Sequence, residues 1–121
     1  MANNIEQILS SLLEINGSKA SALVDYQSGM LLGSAGETAL DLELAAAGNT
    51  EVVRAKLETM KNLGISGSIE DILITLDDQF HIIRPCASHV GLFIYLVLDK
   101  SKSNLALARR AVLACEEGLK L

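Results

Sequence analysis

The chain has 121 residues, half of them hydrophobic and only 3% aromatic, with a net charge of −5. That length fits one domain, whose core must be built from Leu, Ile, Val and Ala with Phe80 and Phe93 as its bulky members. The acidic balance argues against nucleic acid, which needs clustered Lys and Arg, and no stretch nears the roughly 18 apolar residues required for membrane insertion.

Asn3 or Asn4 is placed to cap a first helix, because a side-chain oxygen there accepts from an otherwise unpaired amide. Ile5, Ile8, Leu9, Leu12 and Ile15 follow at helical spacing, and Asn16-Gly17 stops the run. Two apolar strands come next, Lys19 to Asp25 and Met30 to Ser34. They meet through Asp25-Tyr26-Gln27-Ser28-Gly29, with Gly29 supplying the positive φ of the turn.

Asp41 opens a second helix that runs to Leu63, with Gly64 as its stop. Residues placed at 100° intervals put Leu42, Ala46, Val53, Leu57 and Met60 on one side, flanked by Ala45, Val52 and Leu63. Glu43, Arg54, Glu58 and Lys61 take the opposite side. Asn49 and Lys56 fall inside the apolar stripe, in line with Leu42 and Leu63 at spacings of seven. A second strip holds Leu44, Gly48, Ala55 and Thr59, mostly small side chains. The helix therefore carries more apolar and small surface than one sheet contact needs.

Three strands follow. Ile69 to Leu76 alternates over its second half, with Ile72, Ile74 and Leu76 on one side. Asp77-Asp78-Gln79 is a polar turn, and Phe80 to Arg84 returns until Pro85, which cannot donate to a ladder. Gly91 to Leu98 is almost unbroken hydrophobic, as expected of an interior strand covered on both faces. A third helix starts near Ser101 or Ser103 and buries Leu105, Ala108, Val112, Cys115 and Leu119. The order α-β-β-α-β-β-β-α predicts an α+β domain with a five-stranded, mostly antiparallel sheet. The first and third helices would share one face and the second would cover the other.

These pieces, in this order, resemble the roadblock/LC7 family. The resemblance rests on the opening helix, ALVDYQSGMLLGS, LDLELAAAG, ILITLDDQFHIIRPC and GLFIYLVLDKSKSNLALARRAV, which together span nearly the whole chain. It implies one profilin-like domain over 1–121 that is non-catalytic and needs no cofactor. It implies a homodimer or heterodimer that regulates or anchors a Ras-like small GTPase, or else a structural light-chain-type subunit that binds a peptide or helix of a larger complex. In such dimers the central helix and third strand supply the contact. Carried onto this chain, the dimer and partner surface would involve Leu42, Ala45, Ala46, Asn49, Val53, Lys56, Met60, Ile72 and Ile74. Asn49 and Lys56 would then set register between two helices, unless Lys56 snorkels to solvent and Asn49 bonds a neighbour. On this expectation Leu42→Arg or Val53→Asp would split the dimer.

No catalytic pattern competes with that reading. Cys86-Ala87-Ser88-His89 offers one Cys and one His, whereas a structural zinc takes four ligands, so no metal site is expected. A Cys-His nucleophile pair would need a depressed thiol pKa and an orienting third group. Asp77-Asp78 reads as a turn, and Arg109-Arg110 as a solvated or salt-bridged helix face. Arg84 is open to contact with a partner. Gly29, Gly33 and Gly36 lack the Lys-Ser/Thr pair of a phosphate loop, so the chain is not itself a GTPase. A small-ligand pocket between sheet and helix is disfavoured by the scarcity of aromatic and convergent polar residues. Two cysteines and an opening Met-Ala-Asn-Asn-Ile-Glu without a basic-then-apolar signal predict free thiols and a cytoplasmic protein.

Overall fold

Leu92–Asp99, the most hydrophobic segment of the chain, is the central strand of a five-stranded sheet and is buried on both faces from Phe93 to Leu98. The computed structural model describes residues 3–36 and 39–121. Along the chain the elements are α1 (Ile5–Leu12), β1 (Ser18–Asp25), β2 (Met30–Gly36), α2 (Leu42–Leu63), β3 (Ile72–Thr75), β4 (Gln79–Pro85), β5 (Leu92–Asp99) and α3 (Leu105–Gly118). The sheet order is β2-β1-β5-β4-β3, and every pairing is antiparallel. No helix among the described residues is long and apolar enough to cross a membrane.

Period-two alternation divides each strand between two cores. Leu23, Ile82, Ile94, Leu96 and Leu98 point to α1 and α3, where Leu9, Leu12, Ala108, Val112, Cys115 and Leu119 meet them. Ala20, Ala22, Val24, Ile83, Phe93, Tyr95 and Val97 point the other way, against Ala46 and Val53 of α2. The two-to-one division of helices read from the sequence is the one the chain adopts. On β2 the register shifts opposite Leu23 and Val24, leaving Leu32 as the extra, exposed residue of a bulge.

Capping fixes the helix ends. The Asp41 carboxylate accepts from the Leu44 amide at 3.0 Å, and Gly64 closes α2 with a φ of 70°. α3 starts later than the serines implied, because Ser101 and Ser103 both bond Asp99, and it is Asn104 whose Oδ1 accepts from the Leu107 amide at 3.1 Å. α1 ends earlier than Ile15: the amides of Leu13, Glu14 and Ile15 bond three residues back and tighten the last turn. Asn4 occupies the cap position of α1, but its side chain reaches the other terminus. It donates to the Gly118 carbonyl at 2.8 Å and accepts from the Lys120 amide at 2.7 Å.

β3 is shorter than the run Ile69 to Leu76. Residues ahead of it are held by arginines instead of by the ladder. Arg109 grips the Asp71 carboxylate with two bonds, at 2.8 and 2.9 Å, and Arg84 donates to the Glu70 carbonyl at 3.1 Å. Arg84 is thus a structural residue and not one left open to a partner. Its Nε sits 2.7 Å from Glu116, whose side chain is only 3% exposed, and the second Glu116 oxygen accepts from the Ala87 amide at 3.3 Å. This pair fastens α3 to the exit of β4. Arg84→Met strands a buried carboxylate and should cost about 3–5 kcal/mol in chemical denaturation, whereas the double variant Arg84→Met/Glu116→Leu should recover most of that loss.

Candidate interaction surface

Two helices cover one face of the sheet and a single helix covers the other, so the second face is incompletely dressed. α2 contributes only Ala46, Thr50 and Val53 as fully buried residues. The strand end of this face, with Ile72 and Ile74 of β3 and His81 of β4, stays half-exposed. Between it and α2 runs a groove of about 540 Å³ lined by Val52, Ala55, Lys56, Thr59, Ile69, Asp71 and Ile72.

The stripe read from the sequence is divided by this arrangement. Ala46 and Val53, 1% and 0% exposed, belong to the chain's own core. Leu42, Ala45, Asn49 and Met60 are half-buried on the flanks of α2, Lys56 is exposed, and Ile72 and Ile74 pack partly under the helix. The accessible apolar flank is instead Leu44 (70% exposed), Val52 and Leu63 (67% exposed), together with exposed Gly48, Ala55 and Thr59. Four of these formed the second, small-residue strip of the sequence. Periodicity shows that a helix has two apolar strips but not which one the sheet takes.

Asn49 faces the chain's own sheet. It lies beside the Tyr95 hydroxyl, whose pKa is raised by burial and eased back by that amide. Tyr95 in turn stands edge-on to His81, with ring centroids 5.5 Å apart at 87°. The tyrosine hydroxyl is 3.0 Å from His81 Nδ1, and His81 Nε2 is 2.9 Å from Gln79 Oε1. A neutral ring with its proton on Nε2 satisfies both contacts: the tyrosine donates to Nδ1 and the ring donates to the glutamine. Burial lowers the pKa of His81 and favours that form. The sequence marks neither His81 nor Tyr95, because their relation depends on strand register.

The remaining candidates for chemistry have structural roles. Cys86 is buried, and its thiol is pushed up to about 12, first by burial and then by Glu116, with Arg84 pulling the other way. His89 donates its Nε2 proton to the Leu119 carbonyl at 3.1 Å. Cys115 is likewise buried and raised by that burial, with Ser11 at 3.5 Å easing the shift. Asp77 and Asp78 form the exposed β3–β4 turn, closed by the Leu76 amide on the Gln79 carbonyl at 2.8 Å. Among the described residues, no group of three or more His, Cys, Asp or Glu converges as metal ligands.

No protein-family model and no curated protein matches the chain. Solved structures do match. A roadblock/LC7 domain from Streptomyces avermitilis superposes with a TM-score of 0.82 at 12% identity, over 93% of this chain and 92% of that one. Myxococcus xanthus MglB gives 0.84 at 19% identity, over 94% and 83%. MglC from the same organism gives 0.65 at 17% identity, over 93% and 92%. At these identities the likeness is one of fold, and the fold is that of roadblock/LC7 domains.

Two outcomes check the placement. Val53→Asp should abolish cooperative unfolding, while Leu44→Arg, compared with the parent at a concentration where both are single chains, should leave the melting temperature within about 2 °C, since surface substitutions move stability by only about 0.5 kcal/mol. Cys86 should resist iodoacetamide at pH 8 in the native protein and react within minutes in denaturant.

Proposed function

We propose that the chain is a non-catalytic scaffold that works as two copies joined through α2 and β3, and that this unit docks a Ras-like small GTPase. One observation carries the two-copy reading. The exposed flank of α2 is symmetrically spaced: Leu44 and Leu63, Gly48 and Thr59, and Val52 and Ala55 are each equally distant from a midpoint between Val53 and Arg54. A two-fold axis at that midpoint would lay each residue of an antiparallel partner helix against its counterpart, as an isologous contact requires.

Gly48 strengthens the argument. A methyl group built there meets nothing within 4 Å, so nothing in the chain's own fold calls for glycine. Mid-helix glycine costs about 0.5–1 kcal/mol relative to alanine. A second helix approaching closely is a physical reason to keep it. β3 is an edge strand beside the same flank, so its free backbone groups would be available to the partner's β3.

The docking role is supported by the fold shared with roadblock/LC7 domains. It acts by differential binding: a surface that fits one arrangement of the GTPase switch segments shifts the population toward that arrangement. Hydrolysis would use the GTPase's own groups; of the chain's arginines, Arg84 and Arg109 are already engaged with Glu116 and Asp71.

Sedimentation equilibrium should give twice the 12.9 kDa chain mass. Leu44→Arg should raise the dimer Kd by about 100-fold or more, by placing two unpaired charges in the seam. Gly48→Ala should strengthen the monomer fold while weakening association. A monomer at every concentration would overturn the two-copy reading. Pull-down with a co-encoded small GTPase loaded with GTP or GDP analogues should show a difference between the two forms. Equal, negligible binding, or recovery of a large scaffold chain in its place, would reject the GTPase role.

A further inference from the structure

The half-covered sheet face contains one group able to change charge near neutral pH. His81 sits one strand in from the β3 edge, opposite Ile74 on one side and Val97 on the other. Its two ring nitrogens are committed to Tyr95 and Gln79 in a pattern that only a neutral ring completes as drawn. Taking up a proton turns Nδ1 from acceptor into donor. The Tyr95 hydroxyl must then reverse, accept from the ring and send its own proton toward Asn49. In a single copy this adjustment happens at a face open to water. A second copy laid over this face would shut water out.

We infer that His81 makes association through this face proton-linked: two copies hold together while the ring is neutral and separate as it becomes charged. This rests on the two-copy reading above and adds the regulation of that surface. The groups around the ring support the direction. Charged side chains on the elements around it include Lys56 on α2, Asp71 ahead of β3 and Asp99 at the end of β5. Asp71 is taken by Arg109 and Asp99 by Ser101, while Lys56 is a like charge to an imidazolium. Burial is the one cause that holds the pKa of His81 below its ordinary 6.5.

The sign follows from linkage. Further burial lowers the pKa of the ring in the assembled state relative to the free chain, so the free chain binds more protons. Association is then at full strength above the free-chain pKa and is lost as pH falls through it. The overall charge of the chain acts in the opposite sense. At −5 near neutrality and approaching zero toward pH 4.9, self-repulsion fades on acidification and would favour association. Dissociation in acid therefore has a local cause.

Sedimentation equilibrium of the intact chain at pH 7.5 and 5.5 tests the inference. The dimer Kd should rise about tenfold at the lower pH, because two histidines titrate per dimer. His81→Gln keeps a neutral hydrogen-bonding side chain and should reduce that rise to less than about twofold. A second measurement needs no variant: the His81 ring signal, followed by NMR titration, should show a lower midpoint at high protein concentration than at low. A dimer with the same Kd at both pH values, a His81→Gln variant that keeps the full pH response, or a His81 midpoint independent of concentration would overturn the inference and leave the two-copy reading standing. A monomer at pH 7.5 would overturn both.

Discussion

One helix cannot cover five strands. Strands spaced about 4.8 Å apart make a face roughly 20 Å wide, whereas a helix with its side chains is about 10 Å across. On one face the chain meets this requirement with α1 and α3 side by side. On the other it supplies α2 alone, which buries Phe93, Tyr95 and Val97 but leaves Ile72, Ile74 and His81 only partly covered. The core, the groove and the proposed partner surface all follow from that inequality. The helix is long, 22 residues, yet only Ala46, Thr50 and Val53 of it are fully buried.

The element order was legible because each piece rests on local chemistry. Asp41 and Gly64 bracket α2, Pro85 ends β4, and the run from Leu92 to Leu98 could only be a strand buried twice. The assignment of helices to faces was legible too, since three amphipathic helices and one sheet leave few arrangements. What failed was finer and had a consistent cause. The stripe holding Ala46 and Val53 was taken as a surface between copies, but the sheet of the same chain claims it first. Two apolar strips on one helix cannot be ranked from spacing alone. The sheet takes the stripe of Ala46 and Val53, and the strip of Leu44, Gly48, Ala55 and Thr59 is left outside.

Polar devices were the least legible part of the molecule. Arg84 and Glu116 are separated by 32 positions, and Arg109 and Asp71 by 38, so nothing in either neighbourhood announces a pair. His81 and Tyr95 meet only because β4 and β5 run antiparallel in one particular register. A slip of one residue would send the ring to the opposite face. Asn49 shows the same effect in reverse. In the sequence it looks misplaced in an apolar stripe. In the fold it stands beside a buried tyrosine hydroxyl, and no second copy is needed to explain it.

The composition of the open face also bears on how firmly it would hold a partner. Burying Leu44 and Leu63 from two copies contributes about 1.5–3 kcal/mol for each side chain, in all about 6–12 kcal/mol. Loss of rigid-body freedom on association costs about 4–15 kcal/mol, a sum of the same size. The leucines alone therefore leave little surplus, and the balance falls to the β3 edges and the small residues between the helices. Lys56, Asn49, Gln79 and His81 lie around or within this surface. An obligate interface would be a core cut in half, without such groups. On the proposed two-copy reading, a face so mixed would give a weak association, one that the charge on the two imidazoles could tip.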